Sequence, residues 1–454
     1  MNKMFENKKI FILGMARSGY EAAKLLSKYN NKIVINDSNE KQDESHIKEL
    51  KELGVSVILG THPDDILDES FDYVIKNPGI KDSHKYIEFA KNNNIKVINE
   101  MEMAFHFLPK DIHLIGITGT NGKTTTTTLI YEIIKKAGKS VHLAGNIGYP
   151  FSGFIDKLKS GDYLVTEVSI QQLTNFSDFK TDISVLTNLS EAHIDHVGSY
   201  ENYLNIKKRI FNHHTKNNIA IINTENSDSL KITEDINSTK LYFSTNSNET
   251  DACIKDEAIH FKNEKIIDLR DIKLVGMHNY QNSMCAIAAT KELGIDNSAI
   301  YEVLSTFTGV EHRLEFVKRI KGRDFYNDSK ATNNKSTEIA LASFTRPIIL
   351  LLGGLDRGQS FEELYEYMKN VKAIVTYGET KLRIKEFADS HNIDCTVVDT
   401  LEEATNLAYN ISEENDVILL SPACASWDQY KAFEERGEEF KRVIDEIERD
   451  CVNE

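Results

Sequence analysis

Short apolar runs recur along the chain. Each is followed by a polar or glycine-rich turn and then by a segment with apolar residues at helical spacing, so strands should alternate with helices. In the first hundred residues this predicts strands at Lys9–Leu13, 32–36, 55–59, 73–75 and 96–98, with helices at 17–29 and 45–53. The run Ile112, Leu114, Ile115 and Ile117 predicts a strand, and a helix-like segment follows through Lys136. Further strands are expected at Tyr163–Glu167, Ile183–Leu186, Ile219–Asn223, 323–326, 348–352, 373–377, 394–398 and 416–420, with an alanine-rich helix at 284–293. Residues 224–275 are polar with short alternating runs and suggest an antiparallel edge. The expected fold is α/β with three domains. These are a Rossmann-like unit at 1–108, a central P-loop ATPase-type unit with a mainly parallel sheet at 109–309, and a Rossmann-like unit at 310–454.

The chemistry concentrates where strands give way to turns. Gly119-Thr120-Asn121-Gly122-Lys123-Thr124-Thr125 lies between a strand and a helix. Glycines there let backbone N–H groups close on phosphates, and the helix N-terminus adds partial positive charge. Lys123 suits the β/γ-phosphates and Thr124 suits Mg²⁺. Ile117 stands where the usual loop has its first glycine, so this loop is a variant. Gly14-Met-Ala-Arg-Ser-Gly19 follows the first strand, and Asp37 ends the second, in the places of a dinucleotide fingerprint. Its middle glycine is replaced by Ala16, which favours a nucleotide-diphosphate site of related shape over NAD. Asn77-Pro-Gly-Ile80 is a turn at the same sheet end. Glu167 ends a strand and suits Mg²⁺ or the polarising of water; His193 with Asp195 follows another strand and suits a metal contact or a surface loop. Asp328 and Lys330, flanked by Ser329, Thr332 and Asn333, form a dense polar turn. Arg313 and Arg357 suit phosphate or carboxylate, or surface ion pairs.

Composition narrows the field. The 454 residues allow about three domains. A net charge of −16 argues against nucleic acid as a partner. The five cysteines form no CxxC pair, which argues against a zinc site or a disulfide framework and fits a reducing, cytoplasmic compartment. Lys8 and Lys9 precede an apolar run too short for a signal peptide, and no stretch approaches a membrane span. From the residues alone, an ATP-using enzyme and an ATP-operated switch stay open, and a NAD-binding oxidoreductase is the weakest reading because Ala16 interrupts its fingerprint.

In this order, the motifs resemble the bacterial Mur ligases over essentially the whole chain. The phosphate loop has the form that this family shares with folylpolyglutamate synthase. Glu167, His193 with Asp195, Lys207, His278-Asn279, His312-Arg313 and Asp328-Ser-Lys match the family's ordered motifs. The tail Ser421-Pro-Ala-Cys-Ala-Ser-Trp-Asp-Gln-Tyr-Lys-Ala-Phe433-Glu-Glu-Arg-Gly437 is the most specific match. Within the family it points to the activity that adds D-glutamate to UDP-N-acetylmuramoyl-L-alanine; a sibling amide ligase is the alternative.

The resemblance implies phosphorylation of the L-alanine carboxylate by ATP and attack of the D-glutamate amine on the acyl phosphate. It implies ATP binding by Gly119 to Thr125 with Asn279, Arg313 and Asp328. Mg²⁺ would be held by Thr124, Glu167, His193 and a carbamylated Lys207. The UDP-substrate would meet Gly14, Arg17, Ser18, Gly19, Asp37, Asn77, Gly79, Asn146 and Gln172. D-Glutamate would meet Lys330, Thr332, Arg357, Ser426 and Phe433. Lys123, Glu167, His193, Lys207 and Lys330 would serve catalysis. The expected partners are these small molecules alone, with no nucleic acid and no membrane, and the expected state is a monomer.

Overall fold

The computed structural model describes residues 3–191, 197–274 and 276–453. The chain divides into two compact units, Met1–Phe307 and Thr308–Glu454.

The first unit holds two sheets. One contains β1 (Lys9–Leu13), β2 (Lys32–Asp37), β3 (Ser56–Leu59), β4 (Tyr73–Lys76) and β5 (Lys96–Asn99) in the order β3-β2-β1-β4-β5, all parallel. β1 pairs with both β2 and β4, so the strand order reverses beside it. The crevice beyond the carboxyl ends of such strands is where ligands bind in open α/β sheets.

The second sheet contains β6 (His113–Thr118), β7 (Val141–Gly145), β8 (Tyr163–Glu167), β9 (Ile183–Leu186), β10 (Ile219–Asn223), β11 (Thr239–Ser244), β12 (Ala252–Lys255), β13 (Ala258–Phe261) and β14 (Glu264–Asp268). Its order is β14-β13-β12-β11-β10-β9-β6-β8-β7. The expected antiparallel edge is narrower than the alternating pattern suggested. β11 and β12 still pair in parallel, and antiparallel pairing is confined to β12–β13 and β13–β14. β7 escapes a periodicity reading because only Ala144 in it is buried, so it carries no apolar run.

The two sheets share one apolar core, with Met101, Phe151 and Phe179 among its buried members. Glu102, on the helix Glu100–Phe105, adds a polar clamp. Its carboxylate accepts from Ser177 N (3.2 Å) and Oγ (2.8 Å), Asp178 N (2.9 Å) and Phe179 N (3.1 Å). Burial works against ionisation there, but these donors and His106 bring the acid down to about 2.

The second unit holds β15 (Glu315–Ile320), β16 (Arg323–Asn327), β17 (Ile348–Gly353), β18 (Val371–Tyr377), β19 (Cys395–Val397) and β20 (Val417–Leu420) in the order β15-β16-β20-β17-β18-β19. Only β15 is antiparallel to its neighbour. β17 and β20 are buried at every position, as expected of parallel strands covered on both faces. The chain ends in the helix Phe433–Asn453, which the strand-centred reading left out. The ends of β16, β20 and β17 lie side by side, so the turns after Asn327, Leu420 and Gly353 meet at one sheet edge.

Candidate active site

The phosphate loop follows β6, and the positive φ of its glycines shapes it. Gly119 has φ +145° and Gly122 has φ +79°. A Cβ at Gly119 would stand 2.0 Å from Thr187 Oγ1, and one at Gly122 would stand 2.2 Å from Asn282 Oδ1. Gly122 caps the helix Lys123–Lys136, whose first-turn N–H groups form an anion-binding end. Lys123 Nζ bends back over the loop and donates to the carbonyls of Gly119 (3.0 Å) and Thr120 (2.7 Å). Asn121 N donates to Asn188 Oδ1 at 3.0 Å, and the Thr120 hydroxyl lies 2.7 Å from Tyr203 OH. Thr125 is half-buried on the same turn.

β8 lies next to β6 in register, with Ile117 opposite Glu167. That pairing brings the strand-end carboxylate to the loop. Thr124 Oγ1 donates to Glu167 Oε2 at 2.7 Å, and Asn146 Nδ2 donates to Oε1 at 2.6 Å. Glu167 is 2% exposed. A threonine hydroxyl and a buried carboxylate in contact form an oxygen donor pair of the kind a hard divalent cation takes.

Lys207 lies in the last turn of the helix Tyr200–Lys208 and is 2% exposed. Its Nζ donates to Thr118 Oγ1 (3.0 Å) and to the Gly119 carbonyl (2.9 Å). Burial pushes its pKa well below the usual lysine value; the Lys123 charge adds to this, and Glu167 opposes it. His193 and Asp195 lie outside the described residues. Asn279 stands in the first turn of the helix Met277–Glu292. Asn282, one turn on, donates to Asn279 Oδ1 at 3.3 Å and accepts from Thr126 Oγ1 at 3.3 Å, which ties that helix to the phosphate-loop helix. Sequence reading missed Asn282; its spacing from Asn279 was the available signal.

The expected UDP-substrate residues line two adjoining cavities in the same unit. The first, about 470 Å³, is bounded by Gly14, Asn36, Asp37, His62, Asn77 and His84 among others. Asp37 Oδ2 accepts from Met15 N at 2.7 Å, which fixes the turn after β1. Gly14 has φ +98°, and a Cβ there would stand 2.9 Å from that of Asn77. The second cavity, about 380 Å³, shares Asn77 and continues past Ser18, Gly79, Glu100, Asn146 and Gln172. Asn146 bonds Glu167, so the cavities lead from the end of the first sheet to the phosphate loop. Gln172 Oε1 accepts from Ser169 N at 2.8 Å in a capping box. Two expected residues sit elsewhere. Arg17 lies over the Tyr149 ring at 5.6 Å and borders neither cavity. Gly19 packs against the turn itself, where a Cβ would meet the Gly14 carbonyl at 1.9 Å. Glu100 was missed. Burial pushes its carboxyl up to about 7 although Ser152 donates to it, at 2.6 Å from N.

The second unit gathers the remaining residues. Asp328 accepts from Leu314 N (3.1 Å) and Ser421 Oγ (2.8 Å). Its carboxyl is nevertheless pushed up to about 7 by burial, with Arg313 and Arg436 pulling the other way. Arg313 is exposed. Lys330 Nζ stands 5.8 Å over the Phe433 ring, and Thr332 N donates to the Lys330 carbonyl at 2.9 Å. Ser426 is 1% exposed, and its Oγ has no hydrogen-bond partner among the described residues. Arg357 lies 4.8 Å over the Trp427 ring. Arg436, fully buried, was also missed. It donates to Ser329 Oγ (3.0 Å), the Ser329 carbonyl (2.8 Å) and the Cys424 carbonyl (3.0 Å), locking two of the edge turns together. No helix among the described residues is long and apolar enough to cross a membrane.

Comparison with known proteins adds three matching family models. They are the Mur ligase MurD-like N-terminal domain over 8–99, the Mur ligase middle domain over 117–290, and the Mur ligase glutamate ligase domain over 312–424. The UDP-N-acetylmuramoylalanine--D-glutamate ligase of Bacillus cereus strain G9842 is 44% identical over 445 residues, covering 98% of each chain. That of Bacillus anthracis strain A0248 matches to the same extent. Among solved structures, the UDP-N-acetylmuramate-alanine ligase of Thermotoga maritima aligns with TM-score 0.57 at 18% identity, over 97% of this chain and all of the other. A pseudomurein peptide ligase type C from Methanothermus fervidus aligns with TM-score 0.55 at 18% identity and the same coverage. These structures share the fold.

Proposed function

The chain belongs to the Mur ligase family, and we propose that it joins D-glutamate to UDP-N-acetylmuramoyl-L-alanine with ATP, in the cytoplasm and as a monomer. The observation that carries this reading is the run of cavities from Gly14 and Asp37, past Asn77 and Asn146, to Glu167 and the phosphate loop. A long substrate with a nucleotide at one end and a carboxylate at the other suits such a path. In this reading residues 1–108 hold the UDP-substrate, 109–309 hold ATP, and 310–454 hold the amino acid and part of ATP.

The chemistry follows from the donor set. An oxygen of the L-alanine carboxylate attacks the γ-phosphorus, the bond to the β-bridging oxygen breaks, and ADP leaves. The D-glutamate amine then attacks the acyl carbon, loses a proton, and phosphate departs from the tetrahedral intermediate. Such transfers depend mainly on alignment and charge stabilisation. Lys123 and the first-turn N–H groups of its helix bind the triphosphate. Thr124, Glu167, His193 and, once carbamylated, Lys207 would hold Mg²⁺, which when bound offsets phosphate charge. Asn146 and Gln172 orient the substrate end that carries the carboxylate, with Gly14, Ser18, Asp37, Asn77 and Gly79 serving the UDP portion; Gly19 serves by letting the turn close, and Arg17 stays over Tyr149 beside it. Asn279, Arg313 and Asp328 bind the rest of ATP. Lys330, Thr332, Arg357, Ser426 and Phe433 receive D-glutamate.

The test is ADP release with ATP, Mg²⁺, UDP-N-acetylmuramoyl-L-alanine and D-glutamate, omitting each in turn. Release should need all four, and L-alanine, L-lysine or L-glutamate should not replace D-glutamate. Release without any amino acid would support an ATP-operated switch instead.

A further inference from the structure

Arg357 and Trp427 come together because two edge turns approach closely. Leu355 N donates to the Ala425 carbonyl at 2.9 Å, bridging the turn after β17 to the turn after β20. Gly354, with φ +146°, permits this approach, since a Cβ there would stand 2.4 Å from the same carbonyl. The Arg357 guanidinium then lies 4.8 Å over the indole of Trp427, the only tryptophan in the chain. That indole is 64% exposed, so little apolar burial accounts for its position.

The nearby carboxylates are engaged elsewhere. Asp356 pairs with Arg383 and also accepts from Gly358 N at 2.8 Å, and Glu379 accepts from Asp356 N at 3.2 Å. Among the described residues no carboxylate pairs with Arg357. Next to Trp427 in sequence is Ser426, whose buried hydroxyl lacks a partner. A cation with no counter-ion and an unpaired buried hydroxyl together suit an incoming carboxylate.

We infer that Trp427 is a positioning residue, its indole face holding the Arg357 guanidinium in place to clamp a carboxylate of the amino-acid substrate. The inference rests on the proposed D-glutamate site. A planar guanidinium can lie flat on an aromatic face and still present its edge N–H groups to a carboxylate. Trp427 therefore acts on the amino acid through Arg357 and touches no reacting atom.

The experiment compares Trp427→Ala, Trp427→Phe, Arg357→Gln and the double variant Arg357→Gln/Trp427→Ala in the full chain. Trp427→Ala should raise KM for D-glutamate about 3- to 10-fold, with kcat and the KM values for ATP and the UDP-substrate little changed. Trp427→Phe, which keeps a ring face, should restore most of the loss. The double variant should be no worse than Arg357→Gln alone, since the pair acts as one unit. In the presence of a non-hydrolysable ATP analogue and the UDP-substrate, D-glutamate should perturb the single tryptophan emission saturably, and Arg357→Gln should abolish that change. An unchanged KM in Trp427→Ala, or additive losses in the double variant, would overturn the inference. So would an emission change that persists in Arg357→Gln, since Trp427 would then meet the amino acid directly. If the unmodified protein releases no ADP with D-glutamate, the proposed function itself fails, whatever Trp427 does.

Discussion

Thr124 Oγ1 donates to Glu167 Oε2 at 2.7 Å, joining the first turn after the phosphate loop to the end of the neighbouring strand. The bond holds two side-chain oxygens together in a buried place, and Asn146 donates to the other carboxylate oxygen. Glu167→Gln keeps the shape but removes the charge that would bind Mg²⁺. It should lower kcat about 100- to 1,000-fold and shift the Mg²⁺ dependence of ADP release to higher concentration. An unchanged Mg²⁺ titration would remove Glu167 from the metal set.

Lys123 reaches back to the Gly119 and Thr120 carbonyls, where it spans the mouth of the loop. Lys123→Ala should abolish ADP formation while leaving thermal melting close to that of the unmodified chain, because the helix keeps its Gly122 cap. Near-normal turnover in this variant would contradict the phosphate-loop assignment.

Lys207 is a buried amine whose pKa burial lowers well below the usual value. A larger neutral fraction favours attack of its nitrogen on CO₂, giving a carbamate and releasing one proton. The product would exchange a cation for an anion near Glu167. With ¹³C-labelled bicarbonate, NMR should show a protein carbamate that disappears in Lys207→Gln. Full activity with no carbamate signal would leave Lys207 acting as an amine that braces Thr118 and Gly119.

Much of this was legible in the chain because parallel strands buried on both faces leave continuous apolar runs. Ile348–Gly353 and Val417–Leu420 announce themselves that way, and glycine, lysine and threonine after β6 mark the phosphate loop. Residues that act by long-range contact left no such trace. Glu102 reads as one acid on a short helix, yet it receives four hydrogen bonds from residues 177–179. Arg436 sits among glutamates in an acidic helix, where a solvated side chain would be the ordinary expectation, and it is fully buried. β7 has a mostly half-buried strand with no apolar run to reveal it. Gly19 was legible as a required glycine, but whether a ligand or a neighbouring backbone demanded it depended on the fold.

Asp328 offers a test in which stability and function pull apart. Burial raises its folded pKa from the usual 3.8 to about 7, despite hydrogen bonds from Ser421 and Leu314 N. Between these values the folded chain keeps a proton that the unfolded chain has lost, so stability falls as pH rises through this window; above about 7 the loss is complete. Asp328→Asn keeps an oxygen for Leu314 N, the Ser421 hydroxyl can turn to accept, and no charge is buried. The variant should therefore be more stable at pH 8 by about 1–2 kcal/mol, with the advantage vanishing near pH 4. Differential scanning of the full chain across that range checks it. ATP turnover should fall in the same variant, because in the proposed ATP site a carboxylate accepts hydrogen bonds more strongly than a carboxamide does. A variant that melts lower at pH 8, or an offset that does not change with pH, would show that the Asp328 carboxylate stabilises the fold through its hydrogen bonds rather than straining it.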